Sequence, residues 1–523
     1  MRIFATAAIL LSVGILHAQK INVKWSEESK KELEYKSLVK GAGTEMVKLC
    51  FESQGGGFFS KRKITPILSR YDNKLVEQGV KSFAVDDDGM DFNGLMSVKG
   101  NLYMFSSKYD KGQKATTFYA QKIDANNLNP IGRPSNLGTM SAVNRDRATQ
   151  ASFVISKDSS KILFFGLAPY EKKQNEKYYM GVYDNQLNKL WETTVELPYL
   201  GKFVDVLDFD ITNAGEVGVL LKHYDKEVRK EKVREEGANI PAYKTKFLLY
   251  AKGEKKPKEY VLDLKDKFVH TLQITADNNS NLTLFGLYKN KYDGYINGYF
   301  ITSINKAGNS VDLKKMEVFP EDVLALCKKD KQASTKERDP GLSAKFYLAD
   351  VVQRDDKTID YLLEYYKLVE RTYTDSRGGW HTTWYYYYGD IVDVHVTDKK
   401  TNFIRVPKWQ ETVNTGLYSS FKALTSKNKL YLFYNDDRDN VERDLSKRPD
   451  DMVRFTKSVL AVAALDQNDN LSRSAVYDHK QMKLTTCVNV CQKLSNDKIG
   501  LYAQRTGGLF SSSKDMVGIL QVD

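Results

Sequence analysis

The residues best suited to chemistry in this chain are concentrated in one stretch, YTDSRGGWHTTWYYYYGD, residues 373–390. Two indoles, Trp380 and Trp384, flank His381 and lead into four consecutive phenols, Tyr385, Tyr386, Tyr387 and Tyr388. Arg377 stands beside the flexible pair Gly378 and Gly379. Such a set offers flat faces and half-apolar surface. Aromatic faces stack on sugar rings, and Trp, Tyr and Arg dominate the energy of protein interfaces. The chemistry is recognition, and these eight residues are the predicted binding surface. The competing reading is a protruding β-hairpin whose tyrosines alternate onto neighbouring units.

Other polar clusters carry weaker signals. In NDDRDNVERDLSKRPDD (435–451), Asp436, Asp437 and Asp439 have the oxygen chemistry of a Ca²⁺ site, but Arg438, Arg443 and Arg448 are interleaved, which reads as self-paired charge. Asp86, Asp87, Asp88 and Asp91 lack the spacing and closing Glu of an EF-hand loop and read as a turn. KEVRKEKVREEG (226–237) reads as a solvated charged excursion, with an Asp225–Arg229 pair if it turns helical. Of the four cysteines, Cys487 and Cys491 fall in TCVNVC, which reads as a strand. Even spacing there puts them on one face about 13 Å apart, too far for a disulfide. They read as small buried hydrophobes.

No nucleophile elbow, zinc-protease helix or phosphate-cradling loop occurs. Beyond residue 18 the histidines are His223, His270, His381, His395 and His479, widely scattered. We therefore predict no catalytic residue, metal ligand or cofactor. A carboxylate pair for glycoside chemistry cannot be picked out of 67 acids.

The elements that must position these residues follow from a repeat. A strand rich in Leu, Phe and Tyr recurs eight times: MVKLCFES (46–53), NLYMFSSKY (101–109), KILFFGLAP (161–169), EVGVLLKHY (216–224), NLTLFGLYKN (281–290), IDYLLEYYKL (359–368), KLYLFYNDD (429–437) and KIGLYAQR (498–505). Call it strand B. An apolar strand A and a short Asn/Asp/Gly/Ser turn precede most copies, as in ASFVISKDSS (151–160) and VLDFDITNAG (206–215). A variable loop and a strand C follow, ending in turns such as YDNQL and LDQNDNL, and strand D lies beyond. Four antiparallel strands per unit, repeated about every 65 residues, predict an all-β fold. The fold is a single closed β-propeller of four-stranded blades, about eight of them, with seven as the alternative if the sixth unit is a broken insertion. Abundant Tyr (32) and Phe (24) with scarce Pro (11) fit many paired strands. The last C strand ends at Asp523 without a D strand, whereas Ile21 to Trp25 alternates ahead of the first A–B pair. The N-terminal strand is predicted to complete the last blade.

Residues 1–18 have one positive charge, a short apolar run and a small residue before Gln19, the pattern of a signal peptide. The propeller then occupies 19–523, exported and with no membrane span. The net charge of +12 suits anionic partners, with a solvated surface carrying Lys in excess as the alternative reading, and an exported chain without a recognition motif argues against nucleic acid. Gln19 after the leader, the Lys/Asn/Tyr-rich strands and KLYLFYNDD together resemble the exported propeller-like proteins of Bacteroidota. That resemblance is one of style. It implies a location in the periplasm, at the outer membrane or outside the cell, and transfers no catalytic residue.

In a propeller the A–B and C–D turns emerge on one face and the B–C and D–A loops on the other. Here the former are short and the latter long and individual, and loops on a rigid scaffold carry function. The expected function is a non-enzymatic binding or assembly module of the cell envelope. Its partner, a protein complex or an anionic glycan, is expected on the B–C face. The alternative is a carbohydrate-active hydrolase or lyase using the central funnel.

Overall fold

A computed structural model describes residues 21–522 except 32, 42–45, 55–62, 84–88, 146, 225–228, 236, 253, 330, 375–379 and 506–512. The predicted leader (1–18), Arg377 and Asp86 to Asp88 lie outside the described residues. Blade one runs from Glu34–Lys40 (A) through Met46–Gln54 (B) and Lys63–Tyr71 (C) to Glu77–Ser82 (D), each strand pairing antiparallel with the next. The same order returns in six further sheets, whose A strands are Met90–Val98, Gln150–Ile155, Val204–Ile211, Phe268–Ala276, Phe346–Gln353 and Phe421–Ser426. All eight predicted B strands occupy the second place in their sheets. The sixth unit is a complete blade, which removes the seven-bladed alternative.

The eighth blade is assembled from both ends of the chain. Lys498–Arg505 and Lys514–Val522 supply B and C, and Ile21–Trp25 pairs antiparallel with the latter in the D position, from Ile21 opposite Val522 to Trp25 opposite Gly518. Trp25 lies across Gly518, where a Cβ would come within 2.6 Å of the indole. It also meets Tyr477 edge-on at 5.9 Å.

Alternation gives each blade two apolar faces, which are buried only by stacking on neighbours. Eight apolar clusters result, one per interface. The one between blades eight and one, with Leu38, Met46 and Tyr71 against Cys487, Tyr502 and Val517, closes the ring by packing as the N-terminal strand closes it by hydrogen bonds. A strands are innermost and D strands the most exposed, as in Glu77–Ser82.

Two local devices recur. In six blades strand A carries one extra residue against strand B: Lys36, Asn93, Leu207, His270, Ala349 and Leu494. Such bulges bend and twist the strand as it turns around the axis. The tight turns use an Asp that accepts N–H bonds from residues two and four further on. Asp72, Asp184, Asp277 and Asp466 all do so. The residue after next but one, Leu75, Leu187, Ser280 or Asp469, takes a left-handed conformation.

One expectation needs correction, and two further segments gain a defined structure. The TCVNVC segment is not one strand: Thr485–Thr486 ends and Val488–Val490 makes a turn of 3₁₀ helix. This brings the Cys491 thiol to the Cys487 carbonyl at 3.4 Å. Both thiols, with those of Cys50 and Cys327, are buried and outside any disulfide. In the charged excursion after blade four's B strand, Lys232–Glu235 and Ala238–Pro241 form a small hairpin, and Asp225 lies outside the described residues. Arg229 pairs with Asp205 at 2.5 Å. The polar stretch before blade six follows a helix, Glu321–Lys328, whose Val323, Leu324 and Cys327 pack between blades five and six. Among the described residues no helix is long and apolar enough to cross a membrane.

Candidate functional site

The predicted binding segment is one arm of the longest hairpin in the fold. Strands Ile359–Thr374 and Trp380–Val396 begin as B and C of blade six and continue past the sheet, pairing as far as Thr374 opposite Trp380. Strand geometry divides the ring-bearing residues between two faces. Trp380, Trp384, Tyr386 and Tyr388 point one way; His381, Tyr385 and Tyr387 point the other. They are not a single platform. Trp380 is 79% exposed near the tip, while Tyr388 at the root is 8% exposed, packed on Tyr366 at 4.9 Å. Trp384 exchanges backbone and side-chain hydrogen bonds with Asn414, and Gln410–Val413 pairs with residues 385–388, bracing the root. On the second face His381 stacks on Tyr373 at 5.3 Å, and the Arg371 guanidinium lies 4.6 Å from the Tyr385 ring.

Tyr387 leads into a feature that was not visible in the sequence. At the hairpin root on the second face is a cleft of about 420 Å³ lined by Lys329, Lys331, Tyr365, Lys367, Tyr387, Trp409 and Arg448. Trp409 is 5.8 Å from Tyr365 and 6.1 Å from Tyr387, and Lys367 is 5.8 Å from the Tyr387 ring. Four cations surround three rings, and among the described residues no carboxylate lines the space.

A buried polar framework fixes these walls. The Lys408 ammonium and Glu364 carboxylate pair at 2.7 Å with both side chains fully buried. Their sequence neighbours are Trp409 and Tyr365. Tyr347 and Ser420 also donate to Glu364, at 2.8 and 2.7 Å. Asp390 accepts from Arg405 at 2.7 Å and from the Lys408 amide at 3.2 Å, and its own amide donates to Gln332, the neighbour of Lys331. Burial raises the Asp390 carboxyl despite the guanidinium beside it. Arg405 reaches the Leu445 carbonyl and Lys329 the Ser446 carbonyl, tying down the blade-seven loop that carries Arg448. That loop is self-paired as expected, through Arg443 with Asp450 and Arg448 with Asp451. Asp436 is the exception: it is buried, and burial pushes its carboxyl up to about 7.

A second cavity, about 710 Å³, lies on the same face at the ends of A strands of blades three and four. Arg147, Tyr170, Glu176, Lys202, Asp205 and Arg229 line it. Burial, reinforced by Asp205, pushes the Glu176 carboxyl up to about 7. Asp205 itself is bonded to Arg229 at 2.5 Å and to Tyr224 at 3.1 Å. An acid protonated near neutrality beside an ion-paired carboxylate has the composition of an acid–base site. Among the described residues no cluster of His, Cys, Asp and Glu has the geometry to hold a metal ion.

The fold and its loop face define a closed eight-bladed β-propeller. No family model matches the chain, and no curated protein matches it. Solved structures similar to it include the β-propeller domain of the Trilobed protease from Pyrococcus furiosus, at 7% identity and TM-score 0.37, covering 86% of this chain and 97% of that one. The WD40 domain of SCAP from fission yeast is similar at 8% identity and TM-score 0.39, covering 96% and 94%. The polysaccharide lyase Uly1 is similar at 10% identity and TM-score 0.38, covering 96% and 100%.

Proposed function

We propose that this protein is an exported, non-enzymatic binding module of the cell envelope that holds its partner on the loop face at blade six. The observation that carries the reading is the hairpin. A strand pair extended beyond its sheet leaves Trp380 79% and Tyr373 55% exposed, on a root held by buried ion pairs. Large exposed rings on a stiff support lose little entropy on docking and are the usual anchors of an interface. The leader pattern and the resemblance to exported Bacteroidota proteins support the location. The test is retention of envelope components on immobilised protein. A component held by the native chain and lost with Trp380→Ser plus Tyr373→Ser, both exposed positions, is the expected result. Equal retention by the variant, or none by the native chain, overturns the proposal.

A second reading rests on the 710 Å³ cavity: a carbohydrate-active hydrolase with Glu176 as general acid and Asp205 as its carboxylate partner. Turnover of a polysaccharide that Glu176→Gln abolishes would favour it over the binding module.

A further inference from the structure

We infer that the cleft at the root of the blade-six hairpin is a subsite for an acidic sugar, a pyranose ring bearing a carboxylate. The inference deepens the binding reading above and rests on it for the biological role, though not for the contact itself. Three separate insertions converge to build the cleft: the segment after the helix Glu321–Lys328, the connection holding Trp409, and the blade-seven loop holding Arg448. Chain segments that far apart meet here around aromatic rings: the first presents Lys329 and Lys331, the second Trp409, the third Arg448, and the hairpin strand adds Lys367. Lys331 and Lys367 have no carboxylate partner among the described residues, whereas in the 710 Å³ cavity Arg229 is paired with Asp205. An anion would give Lys331 and Lys367 a partner that no described carboxylate supplies.

The rings select what carries that charge. Trp409 is inclined by 32° to Tyr365 and by 45° to Tyr387, so the three make an open, angled wall and not a parallel slot. A flat aromatic ligand would be gripped by a slot. A puckered sugar instead lays one C–H face on a single ring and turns its equatorial groups outward. Here those groups would meet Lys331, Lys367 and Arg448. A volume of about 420 Å³ suits a small ligand or one segment of a polymer. The 710 Å³ cavity makes the contrast: there Asp205 already occupies the Arg229 guanidinium and a single aromatic ring, Tyr170, is among the lining residues.

The test is calorimetric titration of the full chain with tetragalacturonate, with the same tetrasaccharide fully methyl-esterified, and with a tetra-glutamate peptide. The expected result is binding of the acid form, at least about tenfold weaker binding of the ester, and about tenfold loss for Lys331→Gln and again for Lys367→Gln. Both lysines stand at the rim, so the variants keep the fold, which far-UV dichroism verifies. Trp380→Ser should bind tetragalacturonate like the native chain, so a failed partner-capture experiment and a failed sugar titration remain separate results. Three outcomes would overturn the inference: ester binding equal to acid binding, tighter binding of the peptide, or indifference to both lysine substitutions.

Discussion

Replacing Trp25 by Ala should loosen the closure of the ring at one place and nowhere else. The indole is half-buried, lies over Gly518 and meets Tyr477 edge-on. Full burial of such a ring is worth ~3–5 kcal/mol on truncation to Ala, so half-burial leaves about 2 kcal/mol. Spread over the unfolding entropy of roughly 500 ordered residues, that shifts the global melting temperature by only ~2 °C. The local effect is larger. If strand Ile21–Trp25 opens by itself, about 2 kcal/mol becomes about 30-fold faster amide exchange along Lys514–Val522, its partner. Hydrogen exchange read by mass spectrometry, blade by blade, measures this. Gly518→Ala is the complementary variant, because its Cβ would sit 2.6 Å from the same ring and 2.9 Å from the Lys24 carbonyl. It should give the same pattern. Unchanged exchange in Lys514–Val522, or an equal rise in every blade, would refute the reasoning that this strand is the removable latch.

Three further outcomes are expected. Lys408→Met leaves the fully buried Glu364 carboxylate without its cation, a loss of ~3–5 kcal/mol in chemical denaturation; adding Glu364→Gln should recover part of it. Glu176 binds a proton in the folded chain but not the unfolded one between 4.5 and about 7, so its stabilising contribution is complete below 4.5 and lost as pH rises to about 7. Relative to the native chain, Glu176→Gln should therefore melt at a higher temperature at pH 8 than at pH 5, and a constant difference would contradict this. A thiol reagent should find none of the four cysteines in the native protein and all four after denaturation, since burial also pushes the Cys50 and Cys491 thiols up to about 11.

The architecture was legible because each blade states itself locally. The B strands are apolar runs buried on both faces, and turns such as YDNQL contain the Asp and the left-handed position that the turn geometry demands. The latch was legible from a missing D strand and a spare alternating segment. The hairpin was legible as a ring-rich stretch, but not the division of its rings between two faces, since the alternation of side chains matters only once the stretch is known to stay a strand. The 3₁₀ turn at Val488–Val490 was hidden because TCVNVC has the residue types of a strand while tertiary packing decides otherwise. The cleft was illegible for a different reason. Lys331, Lys367, Trp409 and Arg448 belong to segments with no common motif, and only the circular order of the blades brings them together.

The latch also sets a timetable for synthesis. The Val517 amide donates to the Ser26 hydroxyl, 491 residues earlier in the chain. At about 5–20 residues per second the early segment waits roughly 25–100 s before its mate exists. During that interval seven blades can stack on one another, but the half-strand at the front has nothing to pair with and offers its unpaired backbone to any passing neighbour. Its few residues, with Lys24 among them, are short and charged enough to be a poor template for misassociation, so the molecule is finished by a strand made hundreds of residues before its mate.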